Sequence, residues 1–132
     1  MSNVKFICSI EAQRLIDDGV RGNGCGAEGT NRLVVLFLTY GFGFDLSKCC
    51  KTHDLEYSLP MSIKTEERKE QADKALEYNM RITLDAHKPE GLRKWLINNI
   101  PLYCSIYNKY KENAPRLYHA AVVAAGHKAY WG

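Results

Sequence analysis

The chain has 132 residues and a mass of 15.0 kDa, enough for one domain with a real hydrophobic core that does not need disulfides merely to hold its shape. Its 18 Lys and Arg stand against 15 Asp and Glu and are scattered along the chain, which argues against nucleic acid as a partner and leaves attraction to an anionic surface open. The longest apolar run, residues 33–38, is far shorter than the roughly 20 residues of a spanning helix, so a soluble protein is expected.

Residues 1–10 hold one lysine and a short apolar patch, without the long apolar core and small-residue cleavage site of a secretory signal. Ser9 then opens a short capped helix that ends at Gly19. Five glycines follow in residues 19–30, namely Gly19, Gly22, Gly24, Gly26 and Gly29, the composition of a loop with unusual backbone freedom. Residues 32–44 are apolar and aromatic, and their periodicity does not separate strand from irregular structure. A helix is expected over 45–58, capped by Asp45 and stopped by Pro60. Its inward stripe reads Leu46, Cys49, Cys50, His53, Asp54 and Tyr57, with Lys48, Lys51, Thr52 and Glu56 on the other side. A strong helix opens at Thr65-Glu66-Glu67 and runs to about His87, with Leu76, Met80 and Leu84 on its apolar line and Asp73 on the same line. Three shorter helical segments, opening near Pro89, Pro101 and Pro115, complete a single mostly α domain over 1–132, built on a central antiparallel hairpin of two long helices.

An ionisable pair on an apolar helix stripe is costly unless something compensates it. In an antiparallel hairpin, residues equidistant from the turn face each other, and His53 and Asp73 are symmetric about position 63. A carboxylate on one imidazole nitrogen fixes the tautomer and leaves the other nitrogen to take a proton from water. Asp54 then needs a separate role, and a hard cation supplies one. Calcium takes oxygen ligands, many of them backbone carbonyls, and residues 24–29 have the composition of a loop that can present them. Zinc on Cys25, Cys49, Cys50 and His53 is the alternative that the spacing permits.

Taken together these residues resemble secreted phospholipase A2. That family's helix reads Cys-Cys-x-x-His-Asp-x-x-Tyr, here Cys49, Cys50, His53, Asp54 and Tyr57, with a Cys-Gly-x-x-Gly calcium loop as Cys25, Gly26 and Gly29 and an Ala-Asp on the next helix as Ala72-Asp73. The resemblance implies a calcium-dependent hydrolase of the sn-2 ester of glycerophospholipids, acting on a phospholipid membrane surface. In it His53 is the base that deprotonates water, Asp73 holds His53, Tyr57 bonds Asp73, and Asp54 ligates Ca2+ with the carbonyls of Gly24 and Gly26. The Gly26 amide joins the oxyanion site, and the third loop carbonyl falls on Glu28 or Gly29. The implied disulfide is Cys25–Cys50; a second, Cys49–Cys104, is left open by the resemblance, and with both formed Cys8 is free. The short spacer between His53 and Asp73 matches the bacterial, fungal and parvoviral branches, the likeness covers about residues 22–78, and 88–132 carry no family motif. A second implied function is a phospholipase-like protein that binds membranes or a partner without turnover. Either is expected to be secreted or delivered outside the producing cell, including by a virion or toxin system.

Other features have plainer readings. Residues 33–38 are open to lipid contact or to burial. Trp95, Tyr103, Tyr107, Tyr110, Tyr118 and Trp131 read mostly as core or helix contacts, residues 64–74 as a solvated charged face with i,i+4 pairing, and His87, His119 and His127 as surface.

Overall fold

The computed structural model describes residues 5–22, 24 and 32–132. Among these no residue is in a strand, and the chain forms α1 (Ile10–Asp17), α2 (Arg32–Tyr40), α3 (Ser47–Tyr57), α4 (Glu66–Ala86), α5 (Gly91–Asn99) and α6 (Pro101–Trp131), with short 3-10 turns at Gly41–Gly43 and Met61–Ile63. It is mostly α, and no described helix is long and apolar enough to cross a membrane.

Local chemistry sets most of the boundaries. Ser9 starts α1 by accepting the Ala12 N–H, and Thr65 starts α4 by accepting the Arg68 N–H, each satisfying one of the donors a helix leaves open at its N-terminus. At α3 the capping position falls on Leu46 rather than Asp45, whose Oδ1 instead accepts the Ser47 N–H (2.9 Å) and hydroxyl (2.5 Å) in an Asx turn. Ser9 is also held by Glu56 of α3, through its N–H and its hydroxyl, which docks α1 onto α3.

The core joins Phe44, Leu46 and Cys49 with Leu76, Met80 and Leu84 of α4 and Tyr107, Tyr110, Ala114 and Tyr118 of α6. Leu46, Leu76, Met80 and Leu84 are almost wholly buried, each contributing about 1.5–3 kcal/mol of hydrophobic free energy. So α3, α4 and α6 form the body of the protein, while α1 packs on α3 and α5 on α6.

Besides the Asp45 cap, three sequence expectations are corrected. Residues 32–40 are a helix, neither strand nor irregular. Leu33, Leu36, Phe37 and Tyr40 are exposed on one side of it while Leu38 and Thr39 turn inward, and a short run that is almost wholly apolar does not separate helix from strand. Secondly, no helix starts at Pro115, because α6 is continuous from Pro101 to Trp131. An interior proline costs about 3 kcal/mol, here offset by burial of Ala114, Pro115 and Tyr118 against the core. Thirdly, His87 is half-buried with its ring 4.4 Å from that of Phe44, and His119 lies 3.4 Å from a Glu77 oxygen. Phe42, between α2 and α3, has a positive φ of 57°, a strain that ring contacts with Phe37, Tyr103, Tyr107 and Tyr110 offset.

Candidate functional site

The hairpin brings His53 and Asp73 together: His53 Nε2 lies 2.8 Å from Asp73 Oδ1, with both residues buried. Tyr57, one turn further along α3, donates its hydroxyl to the same oxygen at 2.6 Å. The other carboxylate oxygen accepts from Lys69 Nζ at 2.8 Å, and Lys69 also reaches the Val122 carbonyl of α6 at 3.4 Å. Asp73 therefore takes three donors on two oxygens. Burial works against its charged form, yet the bonds from His53, Lys69 and Tyr57 outweigh it and hold the carboxyl below its ordinary value. An ionised carboxylate only accepts, so Nε2 of a neutral His53 carries the proton, and Nδ1 is the basic nitrogen. Nδ1 makes no hydrogen bond among the described residues. Burial, and then the bond to Asp73, push the Tyr57 phenol well above its usual value, so it remains a donor.

Helix α6 covers this network. Tyr130 stacks on Tyr57 with centroids 5.0 Å apart, and the Tyr130 carbonyl accepts from Lys64. Gly126 lies so close that a Cβ there would sit 2.6 Å from the Tyr57 hydroxyl. Sequence reasoning missed Lys69, Gly126 and Tyr130. Lys69 was placed on a solvated face, and its only signal was its i,i+4 spacing from Asp73; in fact it is 7 % exposed. The two α6 residues have no sequence signal toward a site some 70 positions away.

Asp54 is half-buried, and its Oδ2 accepts the Gly24 N–H at 2.8 Å. Gly24 has φ +99°, a conformation that favours glycine. Two residues earlier the loop crosses α3 so closely that a Cβ on Gly22 would meet the Lys51 carbonyl oxygen at 2.3 Å. Gly26 and Glu28 lie outside the described residues, as does Cys25. Among the described residues no three His, Cys, Asp or Glu side chains gather as a metal site. The donors that are described still suit a hard cation: a carboxylate offers about four lone-pair positions, so the Gly24 bond does not by itself bar one, and calcium takes backbone carbonyls as well as carboxylates.

The cysteines separate the alternatives. Cys50 is disulfide-bonded, whereas Cys8, Cys49 and Cys104 are free thiols, so the Cys49–Cys104 pairing is not formed. Cys49 points toward Thr83 of α4 at 3.5 Å, and burial raises its thiol to about 11. A zinc site needs thiolates; Cys50 has no thiol to offer, and Cys49 is turned to Thr83 of α4.

The stripe drawn from the sequence also needs widening. Thr52, on the side expected to be polar, is buried and bonds back to the Lys48 carbonyl, and Leu55 is buried too. A cleft of about 900 Å³ opens on that side of α3, away from His53 and Asp73. Compared with protein-family models, curated proteins and solved structures, the chain matches none.

Proposed function

We propose that the chain is a calcium-dependent phospholipase A2-like enzyme that hydrolyses the sn-2 ester of glycerophospholipids. One observation carries this reading: a buried imidazole held through Nε2 by an ionised carboxylate, directly preceding an aspartate bonded to the backbone of a glycine-rich loop. No serine, cysteine or threonine hydroxyl or thiol is bonded to His53 among the described residues, which suits attack by water rather than by a side-chain nucleophile.

In the proposed reaction His53 Nδ1 takes a proton from water as the oxygen adds to the ester carbonyl. Collapse of the tetrahedral intermediate breaks the bond to the sn-2 oxygen, which recovers the proton from His53 and leaves as lysophospholipid beside a fatty acid. Asp73 stabilises the transient imidazolium, while Tyr57 and Lys69 keep that carboxylate oriented and ionised. Asp54 with the carbonyls of Gly24, Gly26 and either Glu28 or Gly29 would hold calcium, and the Gly26 amide would face the oxyanion. When bound, the ion supplies a Lewis acid for the ester carbonyl. The exposed Leu33, Leu36, Phe37 and Tyr40 of α2 suit contact with a lipid surface.

Fatty-acid release from phosphatidylcholine vesicles tests the proposal. Release is expected to require calcium, to stop with chelator and to fall at least about 100-fold in His53→Gln; persistence in either control would sink it. The non-catalytic alternative, a membrane- or protein-binding phospholipase-like chain, draws support from the Gly24 N–H already seated on Asp54. Calorimetry separates the two, since no heat at millimolar calcium is the result that the binding protein requires.

A further inference from the structure

The outer face of α3 forms one wall of the 900 Å³ cleft, with α1, residues 20–22, the segment at 5–8, Asp45 and Thr83 of α4 completing it. Among the described residues four cations line it, Lys5, Arg21, Lys48 and Lys51, against one carboxylate, Asp45. Their excess of three equals the formal net charge of the whole chain, so the remaining charged residues balance one another. None of the four enters an ion pair among the described residues, whereas Arg68, Lys69, Lys74, Arg81 and Arg116 each do. Asp45 is turned to Ser47. Lys48 and Lys51 are three residues apart on one helix, hence neighbours that repel. The apolar part of the lining is Phe6 with the exposed Ile16 and Val20 and the edge of the buried Leu55, beside the uncharged Gln13, Thr52 and Thr83.

A concave site of this volume suits a small molecule, and its two chemistries specify one that is negatively charged at one end and aliphatic at the other. We propose that the cleft binds a single-chain anionic amphiphile of the fatty-acid class, its carboxylate among Arg21, Lys48 and Lys51 and its chain along Phe6, Ile16 and Val20. Such a site is separate from the His53–Asp73 pair, so it does not depend on the chain being a lipase. If the chain is one, the cleft takes its acid product.

The test uses the full ¹⁵N-labelled chain without calcium, titrated with sodium laurate below its micellar concentration, so no turnover is involved. Amide shifts are expected at Val20, Lys48, Lys51 and Leu55, with binding weakened at least tenfold by Lys48→Glu/Lys51→Glu and by replacing laurate with its methyl ester. Because charge reversal carries the greater folding risk, Lys48→Gln/Lys51→Gln is run beside it and is expected to weaken binding in the same direction. Shifts confined to α2 or to the α4–α6 side would overturn the proposal. So would equal binding of acetate, which marks a mere anion site, or of the methyl ester, which marks a mere greasy groove. Capture by anionic vesicles that the same variants abolish, with no response to free laurate, would reassign the cleft to a membrane and overturn it too.

Discussion

The two faces of α3 put the same kinds of residue to opposite uses. On its inner side α3 meets a lysine and an aspartate of α4 that are buried and fully engaged: Lys69 and Asp73 bond each other, and Asp73 also holds His53 and Tyr57 of α3. Facing the cleft, Lys48 and Lys51 are exposed, and their charges stand without partners among the described residues. Burial accounts for the difference. An unpaired charge costs several kcal/mol in the interior, so the inner network must close on itself, while water supports an open charge at the surface and leaves it available to a ligand. Closed networks fix geometry, and open ones recruit.

Breaking the closed network should have the largest effect. Asp73→Asn keeps the shape but strands the Lys69 charge, and is expected to lower the unfolding free energy by about 3–5 kcal/mol, read from urea denaturation. A loss near zero would mean that Lys69 finds another partner. The same carboxyl gives an acid signature. Its native value lies below the ordinary one, so the unfolded chain takes up the proton first. The stabilisation it gives is present above the ordinary value of about 3.9 and is lost as pH falls through the native value. Urea midpoints between pH 5 and pH 2 should therefore fall more steeply in the wild type than in Asp73→Asn.

Next in size is the lid that α6 places over the pair. Gly126→Ala drives a methyl group into the Tyr57 hydroxyl, and overpacking of this kind costs about 1–3 kcal/mol. Thermal unfolding reads the loss, and a silent Gly126→Ala would show that α6 can shift away without disturbing Tyr57. Smallest of all, Lys48→Gln on the open face should change stability by no more than about 0.5 kcal/mol, measured by the same urea titration, because its charge is solvated and unpaired. A larger loss would mean that the cleft lysines serve the fold.

The hairpin was readable because its signals are local. Thr65 caps, Pro60 interrupts, Leu76, Met80 and Leu84 repeat at helical spacing, and the symmetry of 53 and 73 about the turn follows from helix geometry alone. The α2 helix was not readable, since a short run that is almost wholly apolar fits a buried strand as well as a helix. Pro115 misled for a related reason: the rule that proline opens or ends a helix concerns hydrogen bonds, and burial of its ring beside Ala114 and Tyr118 outweighs the one it removes.

The sequence by itself determined that a histidine and two aspartates would sit on neighbouring helices and that a glycine-rich segment would precede them, because spacing along a helix converts directly into direction in space. Only tertiary packing decided that Lys69 turns inward to Asp73, that Tyr57 is clamped by Gly126 and Tyr130, and that four cations converge on one cleft. Lys69 and Asp73 are four residues apart, but only packing against α6 buries the lysine; the other contacts join residues up to some 70 positions apart, and no local rule of propensity or periodicity reaches across such a distance, so it is the burial of shared surface between α3, α4 and α6 that selects them.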